Sequence, residues 1–118
     1  MKTDRELLEL AARAAGIDAR WSSPSKSMVL SYQNSCMEMV DKELNPIKDD
    51  GDALRLAVKL RITIEQTSKG MRVFAGVKDT APYFEDVVPG RILAAATRLV
   101  IVKTAAEIQV EREENAIK

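Results

Sequence analysis

A chain of 118 residues suits one domain, which at that size hides roughly two thirds of its unfolded surface and folds without covalent staples. Its 46% hydrophobic and 31% charged residues give the balance of a folded soluble protein and exclude a disordered one. Eighteen basic and eighteen acidic side chains cancel, so bulk charge does not point to a polyanionic partner.

Aromatic residues are scarce (Trp21, Tyr32, Phe74, Tyr83 and Phe84), which leaves the core to Leu, Ile, Val, Ala and Met. Cys36 is alone; it cannot form an internal disulfide and fits a reducing compartment. No run approaches the ~18 to 20 apolar residues of a membrane span, and no apolar stretch of signal-peptide type follows Met1. A cytosolic protein without a membrane partner is the expectation.

Thr3-Asp4-Arg5-Glu6 reads as a capping box, followed by Leu7, Leu10, Ala11 and Ala14 on one helical face. Gly16 can take the left-handed conformation that ends this first helix, expected over residues 4 to 15. Residues 21 to 26 carry the polar and proline punctuation of a turn. Met28, Leu30 and Tyr32 alternate with Val29 and Ser31, predicting a strand at 27 to 33. Gln33 to Ser35 reads as another turn and Cys36 to Val40 as a second short strand.

A central helix is expected to start at Asp49 or Asp50 and to run through Leu60, with Ala53, Leu56, Ala57 and Leu60 on its apolar face. Arg61 to Glu65 and Met71 to Val77 alternate about a loop at Gln66 to Gly70, which reads as a β-hairpin. Asp79 to Pro82 reads as a turn. From Ile92 to Val110 the chain is rich in Ala, Leu, Ile and Val. Leu99 to Val102 alone suits a buried strand, yet Ala94 to Ala96 and Ala105-Ala106 flank it without a breaker, predicting one helix over 89 to 112. The expected whole is a single α+β domain over residues 1 to 112, a small antiparallel sheet of three or four strands covered by three helices, then a polar tail at 113 to 118.

The segment Asn45-Pro46-Ile47-Lys48-Asp49-Asp50-Gly51-Asp52 gathers acids around a glycine just before an apolar run. As a helix start, Asp49 or Asp50 caps the backbone, Asp52 faces the positive end of the helix dipole, and Arg55 pairs with Asp52 at i, i+3. As a calcium loop the glycine falls too early, and Lys59, Leu60 and Arg61 stand where a bidentate acid belongs. A phosphate loop needs more glycines and a Lys before Ser or Thr. The structural reading is preferred, with no metal and no cofactor expected.

Histidine is missing, which removes the commonest general base. The serines lack a nucleophile elbow, and Glu85-Asp86 reads as a solvated pair of acids, so no catalytic residue is expected. Charge is nevertheless segregated along the chain: Glu38 to Asp52 is acidic, whereas Arg55, Lys59, Arg61, Lys69, Arg72 and Lys78 face only Glu65 over the following stretch. Arg61, Arg72 and Phe74 on one hairpin face would grip phosphates and stack a base. The alternative, a solvated face, is favoured. The long last helix leaves Ile101, Val102, Ile108 and Val110 seeking cover, which suggests a homodimer.

Thr3 to Ile17 ("TDRELLELAARAAGI") and Asn45 to Leu60, with its N-P-x-x-D-D-G-D-A-L-R-L-A pattern, resemble a group of small tailed-phage and prophage proteins, the phage α/β/α sandwich domain family. The family usually has Trp before Asn-Pro, where Leu44 stands here. The resemblance implies a prophage origin and a setting in the bacterial host cytoplasm, and implies no activity; the expectation built on it is a non-enzymatic accessory protein that binds an unknown host or phage protein.

Overall fold

The computed structural model describes residues 2–67, 72–78, 83–86 and 93–117. Helix α1 spans Asp4–Ala14, its first free backbone donor satisfied by the Thr3 cap, whose Oγ1 accepts from Glu6 N. The expected reciprocal bond takes a different form, because the Glu6 carboxylate accepts from the Thr3 hydroxyl itself (3.3 Å). Gly16, at φ 70°, ends the helix, and Ile17 N–H folds back to Ala12 O at 2.9 Å.

Three antiparallel strands follow: β1 Ala19–Ser22, β2 Ser27–Gln33 and β3 Met39–Leu44, in the order β1-β2-β3. β2 has the expected bounds. β1 occupies part of the expected turn, which tightens to residues 23 to 26, because Trp21 and Ser22 pair with Met28 and Ser27. The strand expected at Cys36 to Val40 lies later, because Asn34 holds a longer turn. Its Oδ1 accepts from Cys36 N and Glu38 N, and Met37 takes φ 65° without being glycine.

Helix α2, Asp50–Leu60, has Asp49 as its N-cap, as expected. It ends as α1 does: Ile62 N–H reaches back to Ala57 O at 2.9 Å, with Arg61 in the left-handed position at φ 56°. The second sheet, order β4-β5-β6, comprises β4 Thr63–Gln66, β5 Arg72–Gly76 and β6 Tyr83–Asp86. β4 therefore starts two residues later than expected, because the helix cap consumes Arg61 and Ile62. The expected turn at Asp79 to Pro82 and the rest of the hairpin loop, 68 to 70, lie outside the described residues.

Helix α3, Leu93–Ile117, carries the centre of the molecule. Ala96, Val100, Ile101, Val102, Thr104, Ala105 and Ala106 are all buried, nearly around the whole helix. A helix apolar on every side is one enclosed on every side; α1, α2, β5 and β6 pack against it. The buried Thr104 hydroxyl donates to Val100 O (2.8 Å) and lies 3.3 Å from Ala75 O, tying α3 to β5. Ile101 and Val102 are thus covered within their own chain, while Ile108 and Val110 stay half-buried, Ile108 against the same core. Helix continues through Glu113 to Ile117 where a polar tail was expected. Arg112 donates to Ala14 O (2.9 Å) and Glu113 meets Arg13 (3.5 Å), so α1 anchors this end.

The α+β class and the three helices are as expected. Among the described residues the strands form two three-stranded sheets and not one, because α2 lies between β3 and β4 in the chain and each sheet packs on a different helix: the first mainly on α1, the second on α3.

Candidate functional site

Each acid of the Asp49 to Asp52 motif is engaged. Asp49 Oδ1 accepts from Asp52 N at 2.9 Å. Asp50 pairs with Arg98 of α3, whose Nε also donates to Ile47 O at 2.8 Å, so one arginine ties the entry of α2 to α3. Asp52, only 5% exposed, accepts from Asn45 N (2.9 Å) and from Arg55 Nη2 (2.7 Å). A Cβ at Gly51 would stand 3.1 Å from Asp49 Oδ1 and 3.2 Å from Arg55 Nη2, so both side chains would have to give slightly to a larger residue there. Asn45 opens the turn into the helix, its carbonyl accepting from Lys48 N and Asp49 N, and Pro46 is buried behind it. This is helix-start architecture in which all three carboxylates are bound by protein donors.

Beside the motif lies a cavity of about 270 Å³ between α1, α2 and the first sheet. Leu8 and Ala12 of α1 form one wall and Met28, Leu30 and Leu44 of the sheet another, with Leu56 of α2 between. Register explains the sheet wall. Met28 pairs with Leu44 and Leu30 with Lys42, so these four side chains share a face. Lys42 and Lys59 stand exposed at the mouth with no ion pair among the described residues, and Arg55 stands there bound to Asp52.

The residues read from sequence as a basic face are divided by the fold. Arg55 and Lys59 belong to this cavity. Arg61 is the left-handed cap of α2 and not a strand residue, because the capping motif claims it before β4 begins. Arg72 and Phe74 do share a face of β5, opposite the buried Val73 and Ala75, with Glu65 of β4 paired to Phe74. Lys78 lies just past β5, with Phe74 beside a shallow groove that also holds Thr63 and Glu65. Lys69 lies outside the described residues.

Lys42 escaped the sequence reading. Its signal was there as Val40, Lys42 and Leu44 at alternate positions, a cation on an apolar strand face, masked by the acids Asp41 and Glu43 of the other face.

A second feature is the distal half of the β2–β3 hairpin. Tyr32, Met37 and Met39 are 43%, 73% and 69% exposed, and between Ser31 and Val40 only Asn34 and Val40 are half-buried. The turn is firmly built all the same, with Gln33 Nε2 donating to Met37 O and Asn34 N–H to Glu38 O. On its proximal outer face Ser31 donates to Asp41 and accepts from Arg20, a solvated polar network.

Comparison with protein-family models, with curated proteins and with solved structures returned no match to this chain. No helix among the described residues is long and apolar enough to cross a membrane.

Proposed function

We propose that this is a prophage-encoded accessory protein of the bacterial host cytoplasm that acts by protein contact and not by catalysis. The observation that carries the reading is the β2–β3 hairpin, which presents Tyr32, Met37 and Met39 to solvent from an ordered turn. Methionine and tyrosine side chains make adaptable apolar contacts, and the register sets Tyr32 on one face of the projection and Met39 on the other, with Met37 at its turn, so a partner would meet apolar side chains by enclosing the hairpin tip. Met37 also holds a backbone conformation unfavourable for a side chain, strain that concentrates at functional turns. The satisfied carboxylates of the Asp49 to Asp52 motif support a structural role for the most acidic segment.

The test is capture from nuclease-treated bacterial lysate on immobilised wild type, a Tyr32→Ser/Met37→Ser/Met39→Ser variant and a Leu54→Ser/Val58→Ser variant of α2. A protein retained by the wild type and the α2 variant, and lost with the hairpin variant, is the expected result. Retention indifferent to the hairpin changes would sink the reading. A species held only without nuclease would favour the second reading, nucleic acid on Arg72 and Phe74, which rests on their shared face of β5.

A further inference from the structure

The cavity between α1, α2 and the first sheet is not part of that hairpin surface and has a chemistry of its own. Its walls are aliphatic: Leu8, Ala12, Met28, Leu44 and Leu56, with no aromatic ring among them. Ala11 and Ala12 of α1, both buried, complete that wall. Its one carboxylate, Asp52, is buried and already bound by Asn45 N–H and Arg55. The charge left over at the mouth is that of Lys42 and Lys59, reaching in from β3 and α2.

An aliphatic hollow closed by two cations is complementary to one kind of small molecule. We infer that this cavity binds an aliphatic chain ending in an anion, a medium-chain carboxylate, with the chain along the half-buried Leu30 and Leu44 above Met28 and the head group between Lys42 and Lys59. A volume of about 270 Å³ equals roughly nine water volumes, room for a chain of about eight to ten carbons. Binding gains from each methylene taken out of water, and the exposed ammonium groups select the sign of the head group. The hollow sits at the junction of three elements, where small-molecule sites commonly form.

The test is methyl NMR of the full chain labelled at methionine, titrated with sodium decanoate below its micelle concentration. Met28 lies in the cavity wall and only 3% exposed, while Met37 and Met39 on the hairpin serve as internal controls. The Met28 methyl signal is expected to shift and saturate below about 1 mM decanoate, with Met37 and Met39 unmoved. Octanoate is expected to bind about tenfold more weakly, and decyltrimethylammonium weaker than decanoate by at least about tenfold. Lys42→Glu with Lys59→Glu, both exposed positions, should weaken decanoate about tenfold while leaving the free Met28 signal in place.

A Met28 signal unmoved by decanoate would overturn the inference. So would equal affinity for the two head groups, an unaltered affinity in the double variant, or equal shifts at Met28, Met37 and Met39. The Met28 shift and its dependence on Lys42 and Lys59 are read away from the hairpin, where Met37 and Met39 serve only as controls, so this inference and the protein-contact reading stand or fall separately.

Discussion

Asp49, Asp50 and Asp52 are adjacent acids with three different jobs. Asp49 is a cap in partial contact with water; replacing a capping side chain with Ala costs about 1 kcal/mol. Asp52 is enclosed, and its removal strips the Asn45 N–H of its partner inside the protein, a loss of about 1 to 3 kcal/mol beyond the contact with Arg55. Urea unfolding should therefore rank Asp52→Ala as the costlier change, by at least about 1 kcal/mol over Asp49→Ala. Equal midpoints would mean that the Asn45 backbone finds water when Asp52 is gone. Such a hierarchy is invisible in the string Asp-Asp-Gly-Asp, since it depends on which carboxylate the Asn45 turn folds over.

At the scale of elements, the two Schellman-type ends of α1 and α2 show how far local signals reach. Gly16 announces the first, being free to take positive φ. Arg61 takes the same conformation against its steric preference, of order 1 kcal/mol, so nothing in the residue type marked the end of α2. The chain accepts that strain because Ile62, 9% exposed, is thereby turned into the core. Helix α3 is the element on which the others depend, and α2 presents it with only one of its two faces. Ile101→Ala should accordingly lower stability by about 2 to 5 kcal/mol, while Leu54→Ala on the outer face of α2, 61% exposed, stays within about 0.5 kcal/mol. Thermal unfolding of the two variants side by side is the check. A large loss at Leu54 would contradict a solvent-facing outer side of α2.

The molecule as a whole is less compact than its length requires. Its radius of gyration is 15.1 Å against about 13.5 Å for a close-packed chain of this size. The main core lies among α1, α2, α3 and the second sheet, with a smaller one of Leu8, Ala12 and Met28 under the first sheet. The first sheet therefore leans on α1 at one end and leaves the rest of the β2–β3 hairpin in solvent. Stability should grade accordingly: hydrogen exchange at Ser31 to Asp41 is expected to be faster by orders of magnitude than at Val100 to Ala106 of α3. Uniform protection would contradict a weakly covered hairpin and remove the ground for reading it as a contact surface. Between the two cores, the gap spanned by α1 and α2 is what becomes the aliphatic cavity.

Local chemistry by itself determined much of this protein. The Thr3 and Asp49 caps, the apolar face of α2, the strand at Ser27–Gln33 and the unbroken helical run after Leu93 all follow from interactions within a few residues of each other. The hairpin of β4 and β5 followed to within two residues, but the positions of β1, β3 and β6 did not, because β1 and β6 are four residues long and β3 carries charge on its solvent face, leaving little periodicity to read. Nor did the division into two sheets, which is decided by which helix each strand covers. The candidate cavity is tertiary in the strictest sense: Leu8, Lys42 and Lys59 are far apart in sequence, and only the packing of α1, β3 and α2 places an aliphatic wall beneath two exposed ammonium groups.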